Sequence, residues 1–201
     1  MTQVLTRASW PFLVILLTLS GCTTQQMMTS PKLDGAPLQQ QLSDINNWHI
    51  KGKLGLRTDR DSGSLYVNWQ QMDRDFDIHL NGALGQGATH IYGNDDLVAL
   101  ERGNRPIITA TTPEQLLYEN SGWYIPVSHL YFWVRGIPTP EAPIDSSEYN
   151  QYGLLETLHQ GGWHINYSRH GQVDEVTLPT KMTVQRGELK LTLIIKDWQL
   201  L

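Results

Sequence analysis

Apolar side chains recur at every second position along several short stretches of this 201-residue chain. The first stretch begins at Trp48, and later ones lie at 65–69, 76–80 and 187–198. A period of two places the apolar side chains of a strand on one face of a sheet. A sheet with one apolar face must bury that face beneath a second layer or by closing on itself. The alternation therefore restricts the chain to a layered or barrel-like β fold.

Turn-forming residues between the apolar stretches define the remaining elements. We expect about ten or eleven antiparallel strands in all. A short helix is predicted at 37–47, where leucine and isoleucine recur at helical spacing. Residues 137–148 contain three prolines and are predicted to form a loop. The further predicted strands lie near 87–93, 96–101, 106–110, 151–158, 161–168 and 172–178.

Two adjacent helices are predicted to interrupt the strands. Thr112 and Pro113 suit the N-cap and first position of one helix, Gln115 completes a capping-box pattern, and Gly122 suits its end. The other, at 127–135, is apolar almost all round, so it must be buried on two sides or cover an apolar space. The expected fold is mainly β (α+β): an incomplete antiparallel β-barrel with a helical lid. Such sheets commonly hold an apolar ligand.

The amino terminus has the pattern of a secretion signal. Arg7 precedes an apolar run at 12–19, which is shorter than the roughly 20 residues of a membrane-spanning helix. The following Leu-Ser-Gly-Cys is similar to the lipobox at which bacterial lipoproteins are acylated and cleaved, and Cys22 is the only cysteine of the chain. An ordinary secretory signal with an incidental cysteine is the alternative. We predict a signal peptide at 1–21, a lipidated Cys22 with a flexible tether at 22–36, and one domain at 37–201.

Charge and motif content exclude several classes of function. The net charge is −5 and no basic cluster is present, so we expect no nucleic-acid partner. The sequence contains no Gly-x-Ser-x-Gly, no P-loop and no histidine spacing diagnostic of zinc. We interpret the seven histidines as strand-face or loop residues and expect neither catalysis nor a cofactor.

One apolar residue stands out in a glycine-rich segment at a predicted hairpin tip. Leu84 lies between small residues in the stretch 82–87. It either folds back onto the core or protrudes to contact a membrane or a partner. Burial of one leucine contributes about 2 kcal/mol, which is too little to anchor a protein.

A set of short motifs lies in order along the mature chain. They are the lipobox at Cys22, Gly52-Lys53-Leu54, Trp69-Gln70-Gln71, Leu84-Gly85, Ile125-Pro126, and Trp133 followed by Gly136 and Pro138. With these motifs the chain resembles the LolB family, the outer-membrane receptors of the bacterial lipoprotein-sorting pathway. The resemblance implies a cavity that takes the acyl chains of cargo lipoproteins delivered by a soluble periplasmic carrier, LolA. It also implies that Leu84 helps to place cargo in the bilayer. Ala83 stands where a proline is common in the family, which loosens this loop.

The resemblance and the strand pattern together identify candidate residues for an acyl-chain site. The candidate acyl-binding residues are Leu54, Leu65, Val67, Trp69, Leu80, Leu116, Leu130 and Trp133.

The resemblance also bears on location and on the alternatives. Thr23 after the lipidated cysteine, rather than aspartate, favours the periplasmic face of the outer membrane. A monomer is expected. The alternative functions are a module for another hydrophobic ligand and, more weakly, an envelope hydrolase.

Overall fold

The computed structural model describes residues 36–82, 87–122 and 124–201. These residues form eleven strands and three helices. The helices are α1 (Ala36–Ser43), α2 (Pro113–Ser121) and α3 (Val127–Trp133). The strands are β1 (Asn47–Arg57), β2 (Ser62–Met72), β3 (Asp75–Asn81), β4 (Thr89–Gly93), β5 (Val98–Glu101), β6 (Ile108–Ala110), β7 (Ile144–Tyr149), β8 (Leu155–Gln160), β9 (Trp163–Val173), β10 (Val176–Arg186) and β11 (Leu189–Leu200).

All eleven strands belong to one antiparallel sheet, in the order β6-β5-β4-β3-β2-β1-β11-β10-β9-β8-β7. The first and last strands of the chain are therefore neighbours near the middle of the sheet. The sheet is open, with β6 and β7 as its edges. Because α2 and α3 lie in the chain between those two edge strands, the connection from one edge to the other runs through the helices. The predicted incomplete barrel with a helical lid is confirmed.

The strand prediction was wrong in parts of the carboxyl-terminal half. Most of 144–149 was predicted as loop but forms β7, an edge strand whose side chains are mostly exposed and so lack apolar alternation. The predicted strand at 172–178 contains the turn between β9 and β10, and residues 179–186, left outside any predicted strand, belong to β10. In the structure Pro179 lies beside a bulge between β9 and β10, where a strand tolerates a residue with no N–H to donate.

Helix α2 begins and ends where its sequence predicts. The hydroxyl of Thr112 accepts a hydrogen bond from the Gln115 backbone N–H at 3.2 Å, and Gly122 adopts a left-handed φ of 73° at the carboxyl end. The Gln115 side chain instead bonds to Thr111 and Glu119. The other two helices are shorter than predicted, with α1 ending at Ser43 and α3 at Trp133.

The apolar face of the sheet packs into one large core together with α2 and α3. Trp48 at the start of β1 is fully buried, with ring centroids 5.0 Å from Trp69 and 5.5 Å from Trp198. A smaller cluster, built on Leu42 and Leu178, packs α1 against β10. Within the described residues, no helix is both long and apolar enough to cross a membrane.

Stability should fall in mild acid because of His170 on β9. Burial lowers the pKa of this imidazole, partly offset by Glu156 and the Leu155 carbonyl. At a pH between the pKa values of His170 in the folded and unfolded chain, the unfolded chain binds more protons. The contribution of His170 to the free energy of unfolding is therefore complete at neutral pH and decreases as the pH falls. We expect the free energy of unfolding to decrease between about pH 7.5 and about pH 5, and to decrease less in His170→Gln. Urea denaturation of a soluble form lacking residues 1–22 measures both, and equal losses in the two proteins would contradict the assignment.

Candidate functional site

An apolar cavity of about 70 Å³ lies between the inner face of the sheet and the two helices α2 and α3. Its walls are formed entirely by aliphatic and aromatic side chains. At about 30 Å³ per molecule of liquid water, the space equals little more than two waters, and it offers water no polar partner. The lining residues are Leu54, Val67, Trp69, Ile78, Leu80, Ile91, Leu117, Ile125, Val127, Leu130, Val184, Leu191 and Leu193.

The sheet side of the cavity follows from strand alternation and register. Val67 and Trp69 on β2 pair with Leu80 and Ile78 on β3, so four inward side chains form one patch. The patch extends across the sheet because Leu54 on β1 pairs with Leu193 on β11. The helices supply the facing wall through Leu117 on α2 and Val127 and Leu130 on α3.

Five of the eight predicted acyl-binding residues line this cavity, namely Leu54, Val67, Trp69, Leu80 and Leu130. The other three lie off its wall. Leu65 is half-buried opposite Leu54 on β2, and Leu116 is buried on α2. Trp133 is fully buried at the end of α3, beside the ring of Trp163. Their predicted binding role stays a prediction.

The candidate residues did not include eight of the side chains that line the cavity. Ile78 and Leu193 carried a usable signal, since each lies in an alternating apolar stretch. Ile91 and Val184 lie on β4 and β10 and face the cavity only because of how these strands pair.

A larger groove of about 420 Å³, lined by both polar and apolar side chains, adjoins the cavity and shares Trp69 and Val127 with it. At this groove Arg74 donates a hydrogen bond to Asp95 at 2.6 Å, and that bond raises the pKa of Arg74. Asp73 and Glu141 add further carboxylates to the lining. An amphiphile with its hydrocarbon in the cavity could therefore place a polar part in the groove.

The amino-terminal end of α3 is tied to α2 through a buried carboxylate. Glu114 accepts hydrogen bonds from the backbone N–H of Ser128 at 2.8 Å and from its hydroxyl at 3.2 Å. A carboxylate in this place also interacts favourably with the positive end of the helix dipole. The two helices are therefore held together over the cavity.

The carboxyl-terminal end of α3 is tied to the sheet through Gln160 on β8. The Gln160 carbonyl accepts from the Trp133 indole N–H at 2.9 Å and from the Thr139 N–H, while its amide donates to the carbonyls of Thr139 and Ala142. The hydroxyl of Tyr167 donates to the Trp133 carbonyl, and burial raises the pKa of this tyrosine well above its ordinary value, so it remains a donor.

A buried arginine links α3 to α1. Arg135 donates to the Tyr131 carbonyl and, at 2.7 Å, to the Ile45 carbonyl, and its guanidinium stacks on the Tyr131 ring at 4.2 Å. Burial lowers its pKa. Among the described residues no carboxylate lies within ion-pair distance of Arg135, so backbone carbonyls and aromatic faces hold this charge.

Comparison with known proteins identifies the family. The family model described as outer membrane lipoprotein LolB matches residues 46–198. The chain belongs to the LolB family. An outer-membrane lipoprotein LolB of Cellvibrio japonicus is 40% identical over 187 residues, covering 90% of this chain and 91% of the relative. One from Pseudomonas aeruginosa strain LESB58 is 41% identical over 161 residues, covering 80% and 78%. The family assigns this chain to the outer-membrane lipoproteins, with a role in lipoprotein sorting.

Solved structures support the fold of this LolB-family chain. A LolA superfamily protein, NE2245 from Nitrosomonas europaea, aligns with a TM-score of 0.53, 8% identity, and coverage of 84% of this chain and 94% of that one. At this identity the likeness concerns the fold alone.

The two remaining residues of the predicted site, Cys22 and Leu84, lie outside the described residues. The lipid attachment at Cys22, the tether after it and the delivery role of Leu84 stay predictions.

Proposed function

We propose that this chain receives acylated lipoproteins from the periplasmic carrier LolA, binds their acyl chains in the apolar cavity, and inserts them into the inner leaflet of the outer membrane. The cavity between sheet and helices, walled only by apolar side chains, is the observation that carries the proposal. Each methylene removed from water contributes about 0.8 kcal/mol, so transfer of a hydrocarbon chain from water into such a cavity is favourable. We infer a non-enzymatic receptor that is itself anchored through acyl chains on Cys22.

The cavity must enlarge when it takes a chain. Its volume of about 70 Å³ holds only a few methylenes, since each is comparable in size to a water molecule. Because the Trp133 indole N–H donates to Gln160 and so holds the carboxyl end of α3 to the sheet, we expect α2 and the amino end of α3 to move together away from the sheet as cargo enters. The adjoining groove then offers room for the polar part of the cargo.

Transfer to the bilayer needs no nucleotide if affinity rises at each step. A difference of 1.4 kcal/mol between successive sites gives a tenfold preference at equilibrium. About two methylenes of additional burial supply that difference.

A cargo-transfer assay tests the proposal. A soluble form lacking residues 1–22 is mixed with LolA loaded with an acylated lipoprotein, and the partition of cargo between the two proteins is measured after separation. We expect cargo to move to this chain. Co-purified free lipid with no acceptance of cargo would favour the alternative, a binding module for another hydrophobic ligand.

Val67→Phe should reduce cargo acceptance by about tenfold or more, because the larger side chain fills the space at the centre of the sheet wall and overpacking costs about 1–3 kcal/mol. Gln70→Phe is the matched control, since it places the same ring on the exposed outer face of the same strand. Circular dichroism confirms that both variants fold. Equal acceptance by the two variants would show that the cavity does not hold the cargo.

A further inference from the structure

Two histidines and an aspartate meet on the outer face of the sheet, away from the cavity. Asp77 and His79 are two residues apart on β3 and so point to the same side, and His90 on β4 is the direct cross-strand partner of His79. The Nε2 atoms of both histidines lie 2.9 Å from the oxygens of the Asp77 carboxylate. One ligand atom from each residue lies within 4.8 Å of the other two.

A second carboxylate lies on the next strand. Glu101 on β5 pairs directly with His90, and its carboxylate is 3.8 Å from His90 Nδ1. Both ring nitrogens of His90 therefore face carboxylates. Because Nδ1 faces Glu101, an ion between Nε2 and Asp77 would leave Glu101 to orient the ring from its other side.

We propose that Asp77, His79 and His90 bind a divalent transition metal ion of the Zn²⁺ type, with water completing the coordination. Imidazole nitrogen and carboxylate oxygen are ligands that Zn²⁺ takes at about 2.0–2.2 Å, commonly four in number. The ligands are already gathered at hydrogen-bonding separations, so binding replaces the shared protons by the ion with small rotations of the side chains.

The sheet holds these ligands in place. Adjacent strands fix the spacing of paired residues, so β3 and β4 would be joined across one face by the ion, and Glu101 on β5 would orient His90. Sequence spacing does not reveal the site because its ligands come from different strands. The inward residues of the same strands, such as Ile78, line the cavity, so the metal site and the acyl-chain site lie on opposite faces.

The chain contains a matched control for a non-specific histidine pair. His159 on β8 and His164 on β9 are also cross-strand partners, and their rings stack at 4.2 Å, against 4.0 Å for His79 and His90. Within the described ranges no carboxylate lies within ion-pair distance of either residue of this second pair. A metal bound by any paired histidines would use both sites.

Isothermal titration with Zn²⁺ alone tests the proposal on the full-length lipoprotein in detergent, purified without a polyhistidine tag and stripped with a chelator. We expect one high-affinity ion per chain. His79→Ala and Asp77→Asn should each weaken binding by about tenfold or more, and His159→Ala should leave it unchanged. Absence of binding, unchanged affinity in His79→Ala, or an equal loss in His159→Ala would overturn the assignment.

A second measurement reports where the ion binds. Amide hydrogen exchange in residues 75–81 and 89–93 should slow when Zn²⁺ is added to the wild-type lipoprotein, because joining the strands suppresses their local opening. In His90→Gln, addition of Zn²⁺ should no longer slow exchange relative to the same variant without metal. Slowing that persists in this variant would place the ion elsewhere.

Discussion

Replacing Leu84 by glutamate should leave the uptake of acylated cargo unchanged and stop its delivery to a bilayer. In the proposed function, uptake depends on the cavity between the sheet and the helices, whereas Leu84 lies in the segment that joins β3 to β4. One leucine contributes about 2 kcal/mol on entering an apolar environment, and an ionised carboxylate opposes entry. A loss of roughly 2 kcal/mol or more lowers the extent or rate of delivery by at least about 30-fold. Cargo co-purification measures uptake, and liposome flotation measures delivery.

An exposed leucine on another turn provides the control. Leu97 is 56% exposed between β4 and β5, so Leu97→Glu adds the same charge at the other end of β4 without altering the 82–87 segment. We expect Leu97→Glu to deliver cargo normally. Normal delivery by Leu84→Glu would show that the loop has no role in delivery, and equal failure of both variants would indicate a general effect of added negative charge.

Gly52→Ala should be among the most destabilising small substitutions in the chain. A Cβ atom at residue 52 would lie 2.0 Å from the Ile194 carbonyl oxygen, so β1 and β11 could not keep their present separation. Residue 52 also follows a register shift in the β1–β11 pairing, where the first and last strands join the two halves of the sheet. We expect the free energy of unfolding to fall by about 3 kcal/mol, at the upper end of overpacking costs. Urea denaturation measures it.

Gly55 is the matched glycine three residues along the same strand. A Cβ atom there would have its nearest contact at 3.7 Å, from the Thr192 Cβ atom, which is an ordinary van der Waals distance. Gly55→Ala should therefore be neutral or slightly stabilising, because alanine loses less backbone entropy than glycine on folding. If the free energy of unfolding falls by similar amounts in Gly52→Ala and Gly55→Ala, the close contact between residue 52 and the backbone of β11 is not the cause of the destabilisation.

Under the proposed function, cargo uptake exchanges one set of apolar contacts for another. Because Glu114 on α2 binds Ser128 on α3, the two helices move together and these hydrogen bonds are kept as the cavity enlarges. The contacts that are lost are those between the helices and the sheet wall. Burial of about ten methylenes of cargo contributes roughly 8 kcal/mol toward replacing them.

The sequence by itself determined the local elements and which of their faces is apolar. Thr112 and Gly122 define the ends of α2 through hydrogen bonding and backbone conformation, both of which are local properties. Alternation in β1, β2, β3 and β11 likewise identified inward residues such as Val67 and Leu80, because a strand sends successive side chains to opposite faces.

Only the tertiary structure decided what depends on pairing between distant strands. Strand β7 escaped prediction because an exposed edge strand has no apolar period, and it is recognised by its hydrogen bonds to β8. Trp133 belongs to the core and not to the cavity wall because Gln160, 27 residues away in the chain, binds its indole N–H. The cluster of Asp77, His79 and His90 likewise arises from register between two strands. Periodicity describes one strand at a time, whereas cavities and ligand clusters are set by which strands become neighbours.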